Sequence, residues 1–473
     1  MSLPRRLLIP GSILAAQAAN LLIQVLVPRF LSPAEFTAFS LCWTYAQFGV
    51  VLVFEWTRNA TIRFSAGADR RLSVRRRRVL KRLYLLLSTM LLALAAIAFA
   101  LGHGWPALAT VAGAAVYTAC RGLFDGAQAY ARARFFNGRF ALAWVANSVL
   151  SLLLTVTFAW VSGSGVVALL GMSLAFLLSL SFHLATRLFG RLRLPAPDPE
   201  QLRFLWRYGA FVALTAMLSA ALPPTVRSLA VAGIGHAQSA GLLLALDLSQ
   251  KVVAAIGMVF NLLFVQYAIR AAEREAPEIV ARKIATQTAV AAAVIFPAGI
   301  GFWLLQRDLA GLIVPPGYRD AYMASIGLAC LCACVFSFRS FGVDALFVVA
   351  GRSRYAALGP LAALATACGW ILAGAALRGT SLGLVLGGQL AGLVAGCGVS
   401  MFLAWKETGI RWPLRDFCIV AAGCALMALA VRALPGAPGP WHAAAALATG
   451  AVVYLGFAWA LDLCRVRRAG LRV

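Results

Sequence analysis

Charge is scarce in this chain of 473 residues. Asp, Glu, Lys and Arg together make up 12%, against roughly 25% in soluble globular domains. Acid is scarcer still, with 16 Asp and Glu beside 42 Lys and Arg. A soluble enzyme with a polar shell is excluded by that shortage. Histidine is limited to His103, His183, His236 and His442. These form neither an H-E-x-x-H pair nor a cluster, so no metal site is expected. The chain also lacks a P-loop and a D-x-D motif. The segments between apolar runs are too short for a separate catalytic domain. The chain therefore reads as a non-enzyme without a cofactor, whose function belongs to its helices.

Cysteine is present but not as a framework. Nearly all of the ten lie inside apolar runs. Cys330 and Cys334 share a helix face with no His or carboxylate beside them, so they read as small buried residues.

What the chain has in excess is apolar sequence: 62% of residues are hydrophobic and the mean hydropathy is +0.85. A membrane helix needs about 20 mostly apolar residues. Runs near 7–28, 37–56, 83–102, 106–124, 140–161, 165–186, 208–230, 240–268, 284–305, 321–349, 355–377, 381–405, 417–434 and 441–463 meet that need. The basic start, Met1 to Arg6, precedes the first run without a small-residue cleavage site, and reads as the entry to a retained helix. The longest loop is expected over 57–82.

The positive-inside rule tests the count. With the N-terminus in the cytoplasm, 35 of the 42 basic residues fall on the cytoplasmic side. The net charge of +26 is thus a topology signal, and no nucleic-acid partner is expected. Arg75–Arg78 with Lys81 and Arg82 suits attraction to anionic membrane lipids. The expected fold is an all-α polytopic membrane protein of about fourteen transmembrane helices, with N- and C-termini cytoplasmic.

A weak internal repeat runs through it. Gly11 and Arg29 stand eighteen residues apart, as do Gly209 and Arg227. Ala34, Glu35 and Gln47 match Ala237, Gln238 and Gln250 at one offset. Transporters are often built from such repeats. The expected organisation is an N-terminal lobe over 1–200, a C-terminal lobe over 201–410, and two additional helices with a basic tail over 411–473. Arg29 and Glu35, where the first two spans join, are candidate gating residues.

Charges inside a membrane are costly and are candidates for function. Lys251 falls near the middle of the eighth span, with Asp247 one turn before it on the same face. They form either a self-neutralising pair or a cavity cation with its tuning acid. Arg121 and Asp125 repeat that spacing near the inner end of the fourth span. Arg227 follows Pro223–Pro224, which break the helical ladder and often mark a hinge or cavity wall. Arg339 and Asp344 lie in the inner half of the tenth span. Arg227, Lys251, Asp247, Arg339 and Arg121 are the candidate substrate-binding residues.

The stretch Arg29-Phe-Leu-Ser-Pro-Ala-Glu35-Phe-Thr-Ala-Phe39 resembles the junction of the first two helices in polysaccharide flippases. These are the O-antigen or Wzx-like members of the multidrug/oligosaccharidyl-lipid/polysaccharide exporter superfamily. Thr37 stands where the family usually has Gly. Ser239-Ala-Gly-Leu-Leu-Leu-Ala-Leu-Asp247-Leu-Ser-Gln250 and Gly351-Arg-Ser-Arg-Tyr355 are similar to further family segments, although the usual aromatic near Leu243 is missing. The resemblance implies a flippase or exporter that moves an undecaprenyl-pyrophosphate-linked oligosaccharide across the bacterial cytoplasmic (inner) membrane by alternating access. It implies a lipid-linked glycan as substrate, membrane lipids as surroundings, and glycan polymerase and glycosyltransferases as partners in polysaccharide or lipopolysaccharide biosynthesis. A major-facilitator-like or drug and small-solute exporter is an alternative: Gly67-Ala-Asp69-Arg70 followed by a basic run is similar to that family's loop, with Ser65 and Leu72 at its glycine positions. A membrane-embedded glycan-assembly enzyme is the other.

Overall fold

The computed structural model describes residues 3–64, 70–101, 106–134, 136–185, 198–274, 277–344, 346–347 and 353–465. The Gly67–Asp69 part of the loop motif and the basic tail from 466 onward lie outside them. Nine long helices come first: α1 Leu3–Leu26, α2 Pro33–Phe64, α3 Arg70–Leu101, α4 Pro106–Ala133, α5 Asn137–Ser162, α6 Gly165–Ala185, α7 Pro199–Ile234, α8 His236–Arg274 and α9 Pro277–Leu304. A short α10, Gln306–Ile313, leads to α11, Arg319–Phe338. Then come α12 Leu358–Arg378, α13 Leu382–Thr408, α14 Leu414–Arg432 and α15 Pro440–Ala460. Among the described residues, thirteen helices are long and apolar enough to cross a membrane. The first expected span coincides with α1 and precedes these thirteen.

Several helices outrun the apolar runs that announced them. The loop expected over 57–82 is mostly helix, because α2 continues to Phe64 and α3 begins at Arg70. Arginine is a good helix former and its head reaches water from the helix surface. Arg75, Arg77 and Arg78 are exposed, while Val79 and Leu80 are buried against Trp56, Ala60 and Leu205. Arg76 turns the other way: its guanidinium lies 4.9 Å from the Phe64 ring and 4.3 Å from the Phe204 ring, and its Nε donates to Gln201 at 3.1 Å.

The prolines of α7 do not break it, since the helix is continuous through Pro223 and Pro224. Thr225 and Ser228 hydroxyls donate to the carbonyls of Ala221 and Pro224, one turn back. The tenth span is interrupted where the sequence put two charges. α11 gives way at Arg339 to a π-turn through Val343, and the Asp344 amide donates to the Arg339 carbonyl at 2.8 Å.

The chain divides into two compact units, Met1–Ser228 and Leu229–Val473. In the first unit α2 packs on α4 and α6, α3 on α4, and α1 on α5. Small residues make this close: Gly122 and Gly126, four apart on α4, accept the Phe54 and Tyr84 side chains, whose rings stack at 5.7 Å. That is the small-residue helix contact of membrane bundles. α5 ends on Gly163 at φ +62°, a left-handed cap that glycine adopts without strain. Two residues on, Gly165 opens α6 against the backbone of α2. A methyl there would collide with the Glu35 carbonyl and stand 2.8 Å from the Phe39 nitrogen. Gly165→Ala is therefore expected to lower stability by about 1–3 kcal/mol. Unfolding in detergent measures it, and an unchanged unfolding curve would mean that this contact is slack.

Candidate functional site

In the first unit two arginines are held inside spans. Tyr117, Arg121 and Asp125 recur every four residues along one face of α4, as a helix requires. Arg121 donates through one Nη to the Gln47 side chain at 2.6 Å and to the Tyr117 hydroxyl at 3.0 Å. Its Nε lies 3.4 Å from Asp125, and its guanidinium stands 6.0 Å from the Phe176 ring of α6. Gln47 also donates to the Tyr117 hydroxyl at 3.1 Å. The α2–α4 contact thus carries a cation with a neutral amide and a phenol beside its acid.

Arg227, on α7, is buried. It donates to the Ser40 and Thr44 hydroxyls of α2, at 2.8 Å each, and Ser40 and Thr44 are one turn apart. Next to it the Tyr45 and Ser228 hydroxyls are 2.7 Å apart. The two candidate gating residues differ in setting. Arg29 is exposed at the end of the turn that follows α1. Glu35, in the first turn of α2, accepts the Gly165 amide at 2.8 Å. A carboxylate at a helix N-terminus satisfies an orphan amide and complements the dipole, so Glu35 ties α2 to α6.

The repeat anchors fare unequally. Arg29 follows α1, whereas Arg227 lies inside α7, so this pair does not occupy equivalent places. The second set does: Glu35 and Gln238 are each the third residue of α2 and α8, and Gln47 and Gln250 each the fifteenth.

In the second unit, the π-turn closes Arg339 onto Asp344 with Nε 3.2 Å from a carboxylate oxygen. Ser400 of α13 donates to the other oxygen at 2.8 Å. Arg339 is 1% exposed, the largest fully buried side chain of the described residues. Its guanidinium lies against Gly396, where an added methyl would come within 3.1 Å of Nη1. Nε and Nη1 are buried without a well-aligned acceptor, which leaves this cation hydrogen-bonding capacity. On α8, Asp247 is buried and Lys251 half-buried one turn later. Cys330 and Cys334 pack against Ser249 and the Ile295 carbonyl.

No protein-family model and no curated protein matches the sequence. Solved structures do match in fold. A lipid II flippase in an inward closed conformation aligns with a TM-score of 0.68 at 12% identity, covering 100% of both chains. An inward-facing multidrug resistance MATE family transporter of the MOP superfamily aligns at 0.57 and 18% identity, over 86% of this chain and 95% of that one. A MOP superfamily transporter from Pyrococcus furiosus aligns at 0.53 and 19% identity, over 85% and 95%. The chain has the MOP exporter fold.

The solved structures that share it are a flippase and transporters, and the thirteen membrane-length apolar helices among the described residues make this chain multi-pass. The candidate residues are divided between the two units. Arg121 and Arg227 belong to the first unit, and Arg339, Asp247 and Lys251 to the second. One constellation escaped the sequence reading. His442, at the start of α15, lies 2.8 Å from Asp308 of α10, and Gly439 donates its amide to the same carboxylate. The residues are 134 positions apart, so no spacing rule finds them. The signal available was an acid and a histidine, each at a predicted end of a span.

Proposed function

We propose that the protein is a transporter that flips an oligosaccharide carried on undecaprenyl pyrophosphate between the leaflets of a bacterial cytoplasmic membrane. The observation that carries this reading is the fold match over the full length of both chains with a lipid II flippase. The chemistry fits. A pyrophosphate-sugar headgroup cannot cross hydrocarbon, and a pyrophosphate offers several acceptor oxygens to arginine forks. Arg121, Arg227, Arg339 and Lys251 supply cations inside the spans, with Asp247 tuning Lys251. Arg29 and Glu35 serve as gating residues in an alternating-access cycle. A glycan polymerase and glycosyltransferases of polysaccharide synthesis are the partners this reading adds.

The test is a reconstituted flipping assay. Proteoliposomes containing the protein and a fluorescent pyrophosphate-linked oligosaccharide should expose the probe to an external quencher well above the protein-free rate. A drug or small solute as substrate is the second reading, favoured by the multidrug transporters that share the fold. Transport of a cationic drug with no acceleration of flipping would replace the first reading by the second.

We place both chain ends in the cytoplasm on the asymmetry of basic residues. A membrane-impermeant maleimide should then label Gly436→Cys, between α14 and α15, in intact cells, and should not label Arg411→Cys, between α13 and α14. The reverse pattern would invert the topology.

A further inference from the structure

We propose that the second unit holds a binding site for the phosphate of an anionic lipid headgroup, separate from the cations inside the spans and independent of the transport reading. It is a cavity of about 360 Å³ at the end of the unit where α9 and α14 finish and α11 and α15 begin. Its polar side carries Arg307, Arg432 and His442, and its apolar side Trp303, Met323 and Val431.

His442 is set for such a ligand. Its side chain is 9% exposed and that of Asp308 1%. Asp308 engages Nδ1 with oxygens at 2.8 and 3.0 Å, which fixes the ring and leaves Nε2 as the atom to meet a ligand. Nε2 is buried without a hydrogen-bond partner, a costly state for a polar atom that the cavity borders. Arg432 is exposed and stacks over the Trp303 ring at 5.4 Å, which holds its guanidinium at the cavity. Arg307 is exposed beside it. Two guanidinium forks and an imidazole against one spent carboxylate suit an anion with several oxygens.

The surroundings favour a lipid over a free ion. The neighbour of His442, Trp441, is 89% exposed, and tryptophans collect at headgroup depth. The apolar wall beside the cations gives the first carbons of a lipid a surface that inorganic phosphate would not use.

The experiment uses the full-length protein purified in detergent, with native mass spectrometry on phosphatidylglycerol and phosphatidylcholine. Soluble glycerophosphoglycerol, the same headgroup without its chains, is measured by equilibrium dialysis. Wild type should retain one more phosphatidylglycerol than Arg307→Gln with Arg432→Gln, whose affinity for that molecule should fall about tenfold or more on losing two charge-assisted contacts. Phosphatidylcholine should show no such difference. Both arginines are exposed, so the unfolding temperature should not move. His442→Gln should weaken binding by a smaller factor. Equal arginine-dependent binding of the soluble headgroup would overturn the lipid assignment and leave a site for a free phosphate ester. Phosphatidylglycerol binding indifferent to all three residues would overturn the site, and Asp308–His442 would be a tie between α10 and α15 alone.

Discussion

Arg227→Ala should slow flipping by about a hundredfold while the protein still inserts and folds. That factor corresponds to about 2.7 kcal/mol, the scale of one or two charge-assisted hydrogen bonds. Arg227 is buried inside a span against Ser40 and Thr44, so a structural role has to be separated from a substrate role. Ser40→Ala with Thr44→Val removes the two hydroxyl acceptors and keeps the cation. If Arg227 serves mainly to fasten α7 to α2, that double variant should be as damaging as Arg227→Ala. If the guanidinium meets the pyrophosphate, the double variant should retain most of the flipping rate. Arg227→Lys should recover part of the activity, because it keeps the charge and loses the planar fork. The flipping assay with the fluorescent oligosaccharide measures all of these, and full activity of Arg227→Ala would remove the residue from the site.

Asp344→Asn should be the most destabilising conservative change in the second unit. It leaves Arg339, at 1% exposure, without its ion-pair partner at 3.2 Å. Breaking a buried pair by removing one member costs about 3–5 kcal/mol, because the remaining charge is uncompensated. Unfolding in detergent reads the loss, and an unshifted curve would mean that another group neutralises Arg339. Arg339→Met with Asp344→Leu removes both charges and should restore much of the stability, as apolar replacements of buried pairs often do. Its flipping activity then decides the role of Arg339. Restored stability with lost flipping assigns the cation to the substrate, while recovery of both makes the pair structural.

The legibility of the fold was uneven for physical reasons. The apolar runs were visible because each span must satisfy its backbone internally and face lipid or other helices. Every expected run therefore falls on a helix, although the tenth outlasts α11 into the π-turn at Arg339–Val343, and the basic residues between the runs fit one alternation. The helix ends at the basic segments lie beyond the apolar runs, because α2, α3 and α8 continue as helices where hydropathy falls. Arg75 to Arg78 read as a basic run attracted to anionic lipid, yet Arg76 is folded onto Phe64 and Phe204. Pro223 and Pro224 suggested a broken helical ladder at a hinge or cavity wall; α7 is a continuous helix through them. Glu35 was picked out from a motif, but its bond to Gly165 spans 130 residues and no local pattern announces it.

By itself, the sequence determined that this is a bundle of long apolar helices with charges inside its spans. Composition and the length of apolar runs suffice for that, because the bilayer imposes one thickness and forbids an unpaired backbone. Only the tertiary structure decided what each embedded charge touches. It gave Arg121 the Gln47 amide and Tyr117 phenol, Arg227 two hydroxyls of α2, and Arg339 an acid five residues away across a π-turn. It also brought Asp308 to His442. These partners come from helices far apart in the chain, and their meeting depends on which faces pack and where glycine lets them approach, which no single helix's periodicity contains.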